Sequence, residues 1–521
     1  VTDVVRPLAV LALALPAALV VLLWCLPGAW TSVLARLGAV PTAVSAVTAG
    51  ALVVADPTRR VTGDWLTVDP AGGVLLVVIG VVGLVSVLVS PAYLHATSTS
   101  LVRPRWRERT YYSVVNAFWA ALLAVPLAGS LGAAWLLVEA TTAASALLVG
   151  FSGRPRSLEA AWKYLVLTSL GLGVALLGIV LLAAGIPGAG VGALTWGALS
   201  DYAAGPQGAL VAYLLLLAGL ASKIGWAPVH NWLPDAHSEA PAPVSALLSA
   251  ALLPAVLLVA WRCQLGLAPV VGVRTSRDVL LGFGLLSVLV SVPFLARSLA
   301  WKRLLAYSSL EHMGVIAVGL AFASPLAVAG VTVHVVAHAV AKSLGFFLVT
   351  PLLAQIPDAA RNPVSGVART RPVLGAAIGL CLATLSGMPP SPLFVSEVLI
   401  VAGGIQAGRP WAAAAVALAL ALVFVCLTRA LLETTVGEVP DTPTPAVPAA
   451  GPTGAAALDT APGSPGPGSP DTAPASGPGL PGLRAVRVLV PTCLVLLLVL
   501  SGVAVCLPGS GLVHALMEGI S

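Results

Sequence analysis

One apolar stretch, VTVHVVAHAVAKSLGFF, carries His334, His338 and Lys342 at i, i+4 and i+8. On a helix that spacing stacks three proton-exchanging groups along one face, about 6 Å per step. Other apolar runs hold single ionisable residues: Glu139 in AWLLVEATTAASALL, Lys223 in LLLLAGLASKIGWAPVHNW, Glu311 and His312 in LLAYSSLEHMGVIAVGL, and Glu397 in SGMPPSPLFVSEVLIVAGG. An ionisable group in a bilayer core costs at least about 2.5 to 3.5 kcal/mol, so such groups must face a bundle interior, water or one another. The chemistry they offer is proton transfer.

Lysine usage supports that reading. The chain has only Lys163, Lys223, Lys302 and Lys342 against 22 Arg, and two of the four lysines are intramembrane. Arginine stays protonated, whereas a desolvated lysine can titrate near neutrality, so the pattern suits proton handling better than charge anchoring. Lys302, beside Arg303 at a helix mouth, reads as a cytoplasmic anchor, and Tyr307, Trp226 and Trp232 as interfacial or packing aromatics. A satisfied packing role stays open for Glu311, His312 and His334.

The elements that position these groups follow from composition. At 521 residues, 58% hydrophobic and 9% charged, with mean hydropathy +1.00, the chain is a polytopic membrane protein with no room for a soluble catalytic domain. Apolar windows fall at about 7–26, 37–55, 73–95, 112–129, 131–151, 162–185 and 207–228, then 240–261, 278–298, 304–323, 325–353, 372–403, 410–432 and 485–507. That predicts an all-α integral membrane fold of fourteen transmembrane helices. Pro228, Pro234, Pro241 and Pro243 follow Lys223, while Gly387, Pro389, Pro390 and Pro392 precede Glu397, so helices 7 and 12 should be discontinuous. Paired broken helices point to a transport site and an inverted repeat.

The first window lacks a small-residue cleavage site and reads as an uncleaved helix. Val1 and the Arg-rich composition suggest a GTG start in a high-GC bacterial gene. Loops after odd-numbered helices hold fifteen basic residues: Arg36; Arg103, Arg105, Arg107 and Arg109; Arg154 and Arg156; Arg297, Lys302 and Arg303; Arg361, Arg369 and Arg371; Arg484 and Arg487. The other side has seven: Arg6, Arg59, Arg60, Arg262, Arg274, Arg277 and Arg409. The positive-inside rule then places the odd loops in the cytoplasm of a bacterial cell and both termini outside. It also accounts for the net charge of +6 without nucleic acid, since no basic tract exists.

Six cysteines, Cys25, Cys263, Cys381, Cys426, Cys493 and Cys506, stand singly without ligand spacing, which argues against iron–sulfur, zinc and haem sites and against disulfides. No GxGxxG sits in a strand–helix context, so no flavin or nicotinamide site is expected and the chain should carry no cofactor or metal of its own. The Pro/Gly/Ala/Ser mixture at 436–484 cannot bury a core and reads as a disordered linker, a tolerated insertion or a docking tether.

Four motifs, KIGWAPVHNWLPDAHSEAPAPVSALLSA, KRLLAYSSLEHMGVIA, HVVAHAVAKSLGFF and PPSPLFVSEVLI, resemble the antiporter-like proton-translocating subunits of respiratory complex I, Mrp cation/proton antiporters and membrane-bound hydrogenases. EATTAASALLVGF and EAAWKYLVLTSLGL are most similar to the hydrogenase-4 component F and formate hydrogenlyase branch, and the resemblance spans roughly 70–430. It implies N-terminal helices at 1–110, two inverted five-helix half-channels at 111–262 and 263–435, and a last helix at 485–521 beyond the linker. It also implies a relay in which Glu139 pairs with Lys223, His334, His338 and Lys342 follow, and Glu397 ends the path. Where many complex I relatives have a histidine on helix 8, this chain has Ser249.

The function implied is that of a proton-translocating subunit in a redox-driven NADH-quinone oxidoreductase-like or hydrogenase-like complex. Other membrane subunits and peripheral redox subunits would be its partners, and a charge change next door would weaken the Glu139–Lys223 pair. Two alternatives are an Mrp-type Na⁺ or K⁺/proton antiporter or uptake module without a redox partner, and a non-conducting scaffold.

Overall fold

The computed structural model describes residues 4–97, 104–188, 194–356, 359, 361–438 and 481–518, almost all of them helical or in short connections. The first six spans are α1 (Val5–Cys25), α2 (Thr31–Ala55), α3 (Pro70–Ala96), α4 (Pro104–Ala124), α5 (Leu131–Val149) and α6 (Pro155–Gly185). The seventh is split into α7a (Pro206–Ile224) and α7b (Leu233–Glu239). Then come α8 (Ala242–Val271), α9 (Val273–Leu295), α10 (Trp301–Phe322) and α11 (Pro325–Phe347). The split α12a (Pro372–Leu385) and α12b (Pro392–Gln406) precede α13 (Pro410–Val436) and α14 (Pro481–Cys506). Among the described residues twelve helices are long and apolar enough to span by themselves, and the α12 halves and α14 supply the rest of the expected fourteen.

Local sequence explains most boundaries. Proline at the first helical position loses no hydrogen bond, and α3, α6, α7a, α11, α12a, α12b and α13 all begin with it. Asp69, Ser130, Ser324 and Ser391 cap α3, α5, α11 and α12b by accepting from backbone N–H groups. Several windows shift: α2 starts at Thr31, α6 starts at Pro155, α8 runs on to Val271, and α4 starts at Pro104, so Arg105, Arg107 and Arg109 lie in its first turns. The linker region 436–484 falls mainly on residues outside those described.

The two breaks are built alike, 162 residues apart. Gly225 and Gly387 both take positive φ, 79° and 68°. Trp226 N–H reaches back to Ala221 O, and Met388 N–H to Ala383 O. Val229 N–H bonds Trp226 O, as Ser391 N–H bonds Met388 O. Four spans lie between the two split helices, which therefore run in opposite directions, the signature of inverted repeats.

Lateral contacts fix the alternation. Asp235 meets Lys163 and Arg303, Arg371 meets Gln355, and Ser298 meets Glu433, all at one face. Arg409 meets Asp278, and Arg262 meets Asp69, at the other. Arg262 is not an interfacial cation: it is buried, 2.9 Å from Asp69, and donates to Pro126 O.

Burial is ordered from rim to centre. The spanning windows of α8 and α10 are 100% buried, against 22% for α13 and 28% for α1. Gly284 and Gly314 let α9 and α10 meet backbone to backbone, since a Cβ on either would lie 2.8 Å from the other's carbonyl oxygen. Within α8, Leu248–Leu252 forms a π turn just before Pro254, which has no N–H for the helical ladder.

Candidate functional site

Lys223 ends α7a at the first break and is fully buried. Its Nζ donates to Thr142 Oγ1 at 2.8 Å and to the Tyr164 hydroxyl. Both oxygens are bound to accept, because Thr142 also donates to Val138 O and Tyr164 contacts Ser145 Oγ at 2.7 Å, itself donating to Thr141 O. Glu139 lies one turn before Thr142 on α5; its Oε1 accepts from Ser169 Oγ at 2.7 Å, and Oε2 is buried without a hydrogen-bond partner among the described residues. Among the described residues no ion pair within 4.0 Å joins Glu139 to Lys223; each is held by hydroxyls instead.

The break itself is tied down by indoles. Trp232 Nε1 donates to Ser222 O, a carbonyl that the broken helix leaves free, and Trp226 Nε1 donates to Met313 O on α10. These two tryptophans are therefore structural ties of the break, not interfacial anchors. Lys302 is likewise more than an anchor, donating to Ser238 O and Ala240 O at the end of α7b.

His237, on α7b, was not singled out from sequence. It is buried, neither ring nitrogen has a hydrogen-bond partner among the described residues, and it stacks between Trp232 at 6.5 Å and Phe346 of α11 at 5.5 Å. Trp232 in turn lies 4.8 Å from the Tyr164 ring, so a continuous aromatic stack leads from the partner of Lys223 to α11. Its position between prolines in what reads as a loop hid it; the only signal was its place in the long motif after Lys223.

The second break gathers its titratable groups closely. Lys342 donates to Leu305 O at 2.6 Å and Ser308 Oγ at 2.8 Å, both on α10. His338, one turn before it, packs edge-on against His312 with ring centroids 4.9 Å apart. Ser249, in the π turn of α8, pairs with Ser309 Oγ at 2.8 Å.

His312 Nδ1 lies 3.0 Å from His334 Nε2 and 3.1 Å from Glu311 Oε2. His334 Nδ1 lies 2.9 Å from Ser396 Oγ, which spends its own hydrogen on Leu393 O. The tautomers follow: His334 donates from Nδ1, its bare Nε2 accepts from His312 Nδ1–H, and His312 Nε2 is left unpartnered. Glu397, half-buried beside Ser396, lays its carboxylate over Gly387, where a Cβ would come within 2.5 Å of Oε2.

The structure thus brings His334, His338 and Lys342 against α10 and places Glu397 at their end, with Glu139 and Lys223 at the other break. Glu311 and His312 stand at the centre of the contacts although a packing role was left open for them. Thr142, Tyr164, Ser169 and Ser396 complete the site, and no sequence pattern marks them.

Residues 128–422 match the family profile described as NADH:quinone oxidoreductase/Mrp antiporter, TM. The chain is 31% identical over 383 residues to a hydrogenase-4 component F homolog of Methylacidiphilum infernorum, covering 72% of this chain and 80% of that protein. It is 29% identical over 369 residues to NADH-quinone oxidoreductase subunit N of Desulforudis audaxviator, covering 68% and 71%. Its fold is similar to that of a chain in the membrane-bound sulfane sulfur reductase, an archaeal respiratory membrane complex, with TM-score 0.78 at 19% identity, covering 98% and 97%.

Proposed function

The chain belongs to the NADH:quinone oxidoreductase/Mrp antiporter transmembrane family, and on that premise we propose that it is a proton-translocating membrane subunit of a redox-driven complex. The observation that carries this reading is the pair of broken spans, each packed beside buried titratable groups that sit in donor–acceptor series. Glu139, Lys223, His338, Lys342, His334 and Glu397 form the relay, with His237, Glu311 and His312 added to it.

In the first half, two of the three N–H bonds of a charged Lys223 are engaged by hydroxyls, and the third proton is the exchangeable one. A charge change in a neighbouring subunit alters the field at Glu139 and Lys223. Because a nearby carboxylate favours the ammonium form, changing that field moves the proton. In the second half, His312 passes a proton to His334 Nε2 along their existing hydrogen bond, and reorientation at Ser396 hands it on toward Glu397.

The electron chemistry belongs to partner subunits, and the chain works without a flavin, nicotinamide or iron–sulfur group. Its termini face outward in a bacterial cell membrane. A second reading, cation/proton antiport, is favoured by the family description itself, which covers both kinds of protein.

The test is proton uptake by inverted vesicles containing the native complex, comparing wild type with Lys223→Ala under each electron donor and under an imposed Na⁺ gradient. Donor-driven uptake lost in the variant is the expected result. Uptake that answers only to Na⁺ would instead make the chain an antiporter subunit.

A further inference from the structure

We propose that Glu311, His312 and Glu397 form a binding site for a divalent transition-metal ion of the zinc type. One ligand atom from each lies within 4.8 Å of the others. Two edges already have coordination dimensions: His312 Nδ1 is 3.1 Å from Glu311 Oε2 and 3.0 Å from His334 Nε2. Ligand atoms around a tetrahedral zinc stand about 3.3 Å apart, given bonds of about 2.0 to 2.1 Å. His334 Nε2 stands outside that trio but beside its histidine donor, and a turn of its ring would bring it in as the fourth.

An independent observation points to a ligand. Both Glu311 oxygens are buried and make no hydrogen bond among the described residues, although buried polar atoms ordinarily find partners. The vacant His312 Nε2 takes the imidazole hydrogen when Nδ1 turns its lone pair to the ion. Two carboxylates balance a divalent cation, so the occupied site would carry no net charge into the membrane interior. His334 also has the outer contact expected of a ligating imidazole, with Nδ1 held by Ser396. Glu397 is half-buried where the other three are enclosed, and it marks the side from which an ion arrives. A bound ion takes the lone pairs that a travelling proton would use, so it acts as a plug and not as a cofactor.

The experiment is Co²⁺ titration of the purified full-length chain, starting from a form with the exposed Cys25 and Cys506 changed to Ser. Expected is one Co²⁺ per chain with the intense visible absorption of four-coordinate cobalt, displaced by equimolar Zn²⁺. Glu397→Gln and Glu311→Gln, near-isosteric changes, should each weaken binding at least about tenfold, and Ser396→Ala about 10- to 100-fold through His334. Lys223→Ala should bind as the parent does. Absence of saturable binding, a pale six-coordinate spectrum, or affinity unchanged by both Glu311→Gln and Glu397→Gln would overturn the proposal.

Discussion

The two broken spans share a backbone design and differ in how their titratable groups are spaced. At the first, Lys223 sits two residues before Gly225 and is cushioned by Thr142 and Tyr164, while Glu139 stays a turn away with its own serine. At the second, the acid Glu397 comes ten residues after Gly387, and Glu311, His312 and His334 meet within hydrogen-bond distance. In the register of the breaks Glu397 corresponds to Asp235, which in the first half is spent on Lys163 and Arg303 at the membrane face. One backbone frame can therefore hold a charge apart or hand it on. The choice lies in whether hydroxyls or imidazoles fill the gap.

The sharpest way to break this contrast is His312→Ala. Removing a positioned proton-transfer group typically costs about 10²- to 10⁴-fold, and donor-driven proton uptake in vesicles should fall on that scale. Uptake at the wild-type rate would show that protons do not pass through the histidine contact.

Next in size is Tyr164→Phe in the first half. A hydrogen bond to a charged group contributes about 1.5 to 3 kcal/mol, so uptake should fall by roughly 10- to 100-fold while Thr142 still holds Lys223. An effect as large as that of His312→Ala would erase the distinction between a cushioned and a contact relay.

The glycines offer a matched pair. An L-residue in the left-handed region costs about 1 to 2 kcal/mol, so Gly225→Ala and Gly387→Ala should lower thermal stability alike. Only the second pushes a new Cβ onto the Glu397 carboxylate; at Gly225 the nearest atom is Leu233 Cδ1, at 3.1 Å. Proton uptake per folded complex should drop further in Gly387→Ala, and equal activity in the two would argue against a role for Glu397's position.

Smallest is Ser249→Ala, which removes one hydroxyl pair worth about 0.5 to 1.5 kcal/mol. Ser309 keeps its bond to Leu305 O, so the fold should stand. A loss of uptake beyond threefold, measured beside unchanged thermal stability, would make Ser249 a conducting link between the halves.

Much of this was legible in the chain. Hydropathy sets the spans because every buried backbone polar group must be satisfied inside a helix, and prolines with a glycine announce both breaks. The stacking of His334, His338 and Lys342 follows from 3.6 residues per turn. What periodicity cannot supply is the partner across the gap. It gives the face of α11 but not that His334 turns to His312 and Ser396 while Lys342 turns to Leu305 O and Ser308.

The same limit explains Glu139 and Lys223, read as a direct pair. Helix spacing shows that Thr142 lies one turn from Glu139, yet only the packing of α5, α6 and α7a decides which of the two receives the ammonium. His237 and the cluster of Glu311, His312 and Glu397 share no periodic spacing, because α7b, α10 and α12b supply them and only Glu311 and His312 are neighbours in sequence. Composition and periodicity thus determined that this protein crosses a membrane many times with ionisable groups inside. Tertiary structure alone decided which of those groups touch, since side-chain contact between helices depends on rotation and register that no single helix encodes.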